Sequence, residues 1–141
     1  MSEPYDPNNI FAKILRGEAP CVRVYEDEDS LAFLDIMPRT PGHTLAIPKA
    51  PARNLLDIDP DELARFMPAV QRVAAAVKRG LEADGVTVAQ FNEAAGDQHV
   101  FHLHFHIIPR RAGVAIGPFG GPMVAPAELE PVAARIRAAL E

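Results

Sequence analysis

From Val100 to Ile108 the chain reads Val100-Phe101-His102-Leu103-His104-Phe105-His106-Ile107-Ile108, an alternation of histidines with apolar residues. Successive side chains of a strand point to opposite faces. A strand here therefore puts His102, His104 and His106 on one face and Phe101, Leu103, Phe105 and Ile107 on the other. The second face is core material; the first carries chemistry. Residues two apart on a strand lie about 6.5 to 7 Å from each other at Cα, so three imidazoles can converge on one phosphate-sized group. Like charges at that spacing hold down one another's protonation, which predicts a mixture of neutral and cationic rings near pH 7. A neutral ring is a nucleophile or base, and a charged one stabilises phosphate oxygens or protonates a leaving group. The same spacing also suits zinc ligation, with Glu93 or Asp97 as an available carboxylate.

Outward from this run the organisation is α+β. Residues 9–16 read as a short helix stopped by Gly17, with Ile10, Phe11, Ile14 and Leu15 on one stripe that can line a pocket. Strands are expected at Val22–Tyr25 and Leu31–Ile36, joined by the acidic turn Glu26-Asp27-Glu28-Asp29-Ser30, then at His43–Pro48 after the breakers Pro38, Pro41 and Gly42. The strongest helix opens at Asp59-Pro60-Asp61-Glu62, a capping-box-like start, and runs to about Leu81. Its apolar stripe is Leu63, Phe66, Met67, Val70, Val73, Ala74 and Val77; Pro68 predicts a kink or a missing hydrogen bond near Leu63-Ala64. A strand follows over Val86–Asn92, and the tail from Pro126 to Leu140 reads as a last amphipathic helix. Gly113 to Val124 shows no period.

Length allows one domain spanning 1–141. A formal net charge of −5 argues against a nucleic-acid partner, which calls for a basic face, so any bound phosphate must be held by local groups. No apolar run approaches membrane-span length. The lone Cys21 rules out an internal disulfide or thiolate knuckle and fits a reducing compartment; with the polar, acidic start Met1-Ser2-Glu3-Pro4-Tyr5-Asp6 in place of a secretory signal, the expected location is cytoplasmic.

The run His102-Leu103-His104-Phe105-His106-Ile107-Ile108 resembles the histidine triad signature, His-φ-His-φ-His-φ-φ with φ apolar. The likeness extends in order through Ile10-Phe11, Tyr25-Glu26-Asp27, Phe33-Leu34-Asp35-Ile36, Pro41-Gly42-His43, Ile47-Pro48-Lys49, Asn92-Glu93, Gln98-His99-Val100 and Ile108-Pro109-Arg110. It implies nucleotide hydrolases and transferases built on a five-stranded antiparallel sheet with a long and a C-terminal helix, usually homodimers in which two sheets become continuous. By the same resemblance His104 attacks the α-phosphorus of a nucleotide, giving a nucleotidyl-histidine that water cleaves. His102 and His106 flank it to orient the ring, contact phosphate oxygens or assist proton transfer, and His43 orients the triad. Asp35 binds the ribose hydroxyls; Ile10, Phe11, Ile14, Phe33, Leu34 and Ile36 form the base pocket; Asn92, Gln98, His99 and Val100 lie on the phosphate side. The partner implied is a purine, AMP-like nucleotide.

Two departures bear on chemistry. Relatives with structural zinc use a Cys-x-x-Cys pair where this chain has Asn9 and Ala12, and a histidine where it has Pro51, so neither metal nor another cofactor is expected. The segment Ile116-Gly117-Pro118-Phe119-Gly120-Gly121-Pro122-Met123 lacks the tryptophan common near the end of relatives and leaves the leaving group open: an amine from a phosphoramidate, or a polyphosphate from a dinucleotide, to which the Arg110-Arg111 pair leans. Two other classes stand beside the covalent enzyme: a nucleotide-binding sensor with little turnover, and a zinc-dependent hydrolase using the histidines as ligands.

Overall fold

A computed structural model describes residues 4–140; Met1-Ser2-Glu3 and Glu141, the ends of the expected domain, lie outside the described residues. The elements run α1 (Ile10–Leu15), β1 (Arg23–Glu26), β2 (Ser30–Leu34), β3 (Thr44–Pro48), α2 (Pro60–Gly80), β4 (Gly85–Ala89), a 3-10 turn (Ala94–Gly96), β5 (Phe105–Arg110) and α3 (Pro126–Ala139). The strands form one antiparallel sheet in the order β1-β2-β3-β5-β4. This is the expected α+β architecture.

Alternation along the strands divides the core into two layers. Val24, Ala32, Leu34, Ala46 and Ile107 meet Phe66, Val70, Val73 and Val77 of α2 and Leu129 and Ile136 of α3. On the opposite face Leu31, Phe33, Leu45 and Ile47 pack against Phe11 and Ile14 of α1. The long helix starts where its cap chemistry demands: Asp59 accepts from the amides of Asp61 and Glu62, with Pro60 in the first turn. Pro68 sits inside α2 without ending it. Gly42, at φ +96°, lets the β2–β3 connection press on α2's end, since a Cβ there would lie 2.1 Å from Leu81 Cδ1.

Two strands stop earlier than their apolar runs suggest. The second ends at Leu34 because Asp35 turns its Oδ1 onto the Met37 amide. The fourth ends at Ala89 because Gln90 and Asn92 bond each other's amides and Asn92 Oδ1 takes the Leu55 amide. None of the described helices is long and apolar enough to cross a membrane.

Candidate active site

The histidine run is strand only in its second half. β5 begins at Phe105, where Ala46 pairs with Phe105 and Leu45 with His106. From Phe105 to Ile107 alternation holds as read: Phe105 and Ile107 pack toward α2, while His106 turns to the α1 side. Upstream, long-range bonds replace the ladder: the Leu103 amide donates to the Ala52 carbonyl at 2.9 Å, and buried Gln98 bonds Arg53 O, Val100 O, Asn54 Nδ2 and the Glu93 amide. The expectation that all three histidines share one strand face is therefore corrected. His104 and His106 converge, with ring centroids 5.0 Å apart. His102 points elsewhere: it is 0% exposed, with Nε2 at 2.8 Å from Pro48 O and Nδ1 at 2.7 Å from the Tyr5 hydroxyl.

His104 and His106 open into a cleft of about 940 Å³. Ile10, Phe11 and Ile14 of α1 line it on one side, with Phe33, Leu34, Asp35 and Ile36 from the end of β2 and the turn beyond; His99 and Val100 complete the predicted lining. His43 lies behind His106, its Nε2 at 2.9 Å from His106 Nδ1. Asn92, Gln98 and His102 do not line the cleft, because their polar atoms are consumed by the structural bonds above. Phe91 was not anticipated; Asp97, read only as an available carboxylate ligand, and Phe119 and Met123, from the segment that left the leaving group open, also line the cleft. Phe91 and Phe119 rest on His106 with centroids at 5.5 and 5.3 Å, and the Arg39 guanidinium lies 4.1 Å from the Phe119 ring while Nε bonds Gly117 O. An aromatic flanked by Pro118 and Gly120 was the available hint.

Hydrogen-bond partners fix the tautomers. A main-chain carbonyl only accepts, so the 2.7 Å contact from His104 Nδ1 to His102 O requires a proton on Nδ1 and leaves Nε2 as a bare lone pair. The Arg39 amide donates to His43 Nδ1 at 3.1 Å, so His43 carries its proton on Nε2 and donates it to His106 Nδ1. His106 in turn holds its proton on Nε2. One ring thus offers a nucleophile, the other an N–H donor.

Burial pushes every one of these rings below the usual imidazole range: His43 to about 4, with Arg39 and His104 adding to the effect, and His106 to about 3, with His104, His43 and Arg39 beside it. His102 falls to about 4 by burial despite its bond to Pro48, and His104 is lowered by burial against the opposing bond to His102 O. All are neutral at pH 7, in place of the mixed population expected from mutual repulsion alone, because desolvation, the larger cause, acts in the same direction as that repulsion. Burial raises the Asp35 carboxyl, against the Met37 amide that lowers it.

One ligand atom each from Asp35, His43 and His106 lie within 4.8 Å of one another, near enough for a metal, and His43 Nε2 is 3.7 Å from Asp35 Oδ2 and 2.9 Å from His106 Nδ1. The protons do not fit one. Ligation through His43 Nε2 needs a proton on Nδ1, which already faces the Arg39 N–H. Glu93 is held by Arg53 and Asn54, so it completes no zinc set either.

A model of the HIT domain matches residues 16–113. A HIT-like protein of Methanocaldococcus jannaschii is 45% identical over 104 residues, covering 74% of this chain and 80% of its own length. The adenylylsulfatase HINT3 of Arabidopsis thaliana is 38% identical over 102 residues, covering 72% of this chain and 52% of that protein. Among solved structures, a Hit-like protein involved in cell-cycle regulation from Bartonella henselae superposes with a TM-score of 0.92 at 55% identity, covering 97% of this chain and 99% of the other.

Proposed function

The chain belongs to the histidine triad family of nucleotide-binding hydrolases and transferases, and from that premise we propose that it hydrolyses a purine nucleoside phosphoramidate, adenylylated compound or dinucleoside polyphosphate at the α-phosphate through a covalent intermediate on His104. The observation that carries this reading is the His104 tautomer: Nδ1–H is spent on a carbonyl, and the lone pair of Nε2 is free. That lone pair attacks the α-phosphorus; the P–N bond to His104 forms, and the bond to the leaving group breaks with its electron pair. An anionic leaving group departs as it is, and an amine takes a proton from water. The imidazole becomes formally cationic, and the His102 carbonyl, still accepting from Nδ1–H, stabilises that charge. His106 Nε2–H donates to a phosphate oxygen. Water then adds to phosphorus, the P–N bond breaks, and the pair returns to Nε2 as a proton leaves to solvent.

Asp35 suits the ribose, since its carboxylate can accept from a vicinal diol. The apolar walls from α1 and β2 suit a base, since small-molecule clefts are lined mainly by apolar and aromatic side chains with a few polar groups. The test is AMP release from adenosine 5′-phosphoramidate, adenylyl sulfate and dinucleoside polyphosphates by wild type and His104→Ala. A loss of about a thousandfold or more in kcat is expected with the preferred substrate. Equal rates in the two proteins would remove His104 from the reaction, and no release from any member would favour a binding-only role.

A further inference from the structure

Tyr5 contacts His102 across 97 positions of sequence, its hydroxyl 2.7 Å from Nδ1 and its ring edge-on at a centroid distance of 5.6 Å. The direction of this bond is set by the other side of the imidazole. Nε2 faces the Pro48 carbonyl and must carry the proton, so Nδ1 is bare and the phenol donates. Both nitrogens of a ring with no exposure are thereby used, and that ring belongs to the residue whose carbonyl accepts from His104 Nδ1. The segment bearing Tyr5 is itself tied to α1. Asn9 caps the helix through the Ala12 amide and bonds Asp6 O, while Arg16 Nη1 bonds Pro7 O. That helix supplies Phe11, which stands edge-on to the His104 ring at 5.0 Å.

We propose that Tyr5 is a positioning residue for the nucleophile: its hydroxyl locks the His102 ring and so fixes the carbonyl that keeps His104 in the Nδ1–H tautomer. Tyr5 does not line the cleft, so its action on the reaction is indirect. The inference rests on His104 being the nucleophile, but its structural half stands separately: the tautomer of a ring can be read without turnover. The hydroxyl is the active part, because Tyr5→Phe retains the ring contact and deletes only the donor.

The experiment combines side-chain nitrogen NMR of the full-length protein, labelled in histidine, with steady-state kinetics on adenosine 5′-phosphoramidate. In wild type, His102 should show a bare, hydrogen-bonded Nδ1 and His104 a protonated one. In Tyr5→Phe the His104 signals should split or shift toward the other tautomer, while kcat falls about tenfold, the scale seen when an orienting partner of a functional imidazole is lost, and KM stays within about twofold. An unchanged His104 tautomer and kcat in a folded Tyr5→Phe protein would overturn the proposal. So would a loss of rate that merely follows the folded fraction measured by circular dichroism. Should Tyr5→Phe not fold, the wild-type spectrum alone decides: a protonated His102 Nδ1 contradicts the donor role and a bare one supports it. If wild type releases no AMP from any member of the substrate panel, the enzyme reading fails while the tautomer comparison still judges Tyr5.

Discussion

The proton positions on four buried imidazoles follow from groups whose roles cannot be exchanged: carbonyls that only accept and an amide that only donates. This is why similar histidines take different parts. His104, which lines the cleft, is left with a lone pair on Nε2, His106 with an N–H, and His102 with neither, both of its nitrogens being occupied in the protein interior. The alternation of the sequence showed the cluster but not this division, because the run leaves the sheet before Phe105 through contacts with Ala52, Pro48 and Arg53 that lie far along the chain. Asp35 gives a second residue-scale expectation. If its carboxylate accepts from the ribose diol, Asp35→Asn should raise KM about tenfold or more, the scale of a lost hydrogen bond to a charged group. The same variant should narrow the gap between ribose and 2′-deoxyribose substrates. Competition assays with AMP and 2′-deoxy-AMP read this, and an unchanged gap would take Asp35 off the sugar.

At the scale of elements, the helices and strands were legible because their periods and punctuation agree with their packing. Asp59-Pro60 starts α2 where it should, and the strand apolar residues divide between the two faces. What was not legible lies in connections. Arg39 and Phe119 have no periodic pattern, yet one carries the amide that sets the His43 tautomer and the other covers His106. Asn92 and Gln98, expected at the phosphate, are spent holding the loops that present the cleft. The turn before β3 is under a sharper constraint. Gly42→Ala adds a methyl 2.1 Å from Leu81 Cδ1 at a φ of +96°, and should destabilise the fold by about 1–3 kcal/mol. Urea unfolding checks this; a change within experimental scatter would mean that the turn and α2 are not pressed together.

Across the whole molecule, folding removes several histidines from water and holds them neutral, which couples stability to pH. Unfolded imidazoles titrate near 6.5, whereas His43 and His102 are pushed to about 4 and His106 to about 3. Between those values the unfolded chain binds more protons than the folded one, so stability rises with pH. It should be fully present above about pH 6.5 and fall steadily toward pH 4, partly offset by Asp35, whose raised folded value favours the fold in acid. Thermal unfolding between about pH 7 and pH 5 checks this, and a flat profile would mean that water reaches these rings.

The proposed reaction depends on one bond, phosphorus to Nε2 of His104. The direct measurement is rapid quenching of wild type with excess adenosine 5′-phosphoramidate or a dinucleoside polyphosphate, followed by intact and peptide mass spectrometry. Covalent catalysis by His104 predicts a transient mass increase of one adenylyl group, confined to the peptide containing His104 and missing from His104→Ala. Rapid AMP release with no such adduct at any quench time, or an adduct that persists in His104→Ala, would contradict it.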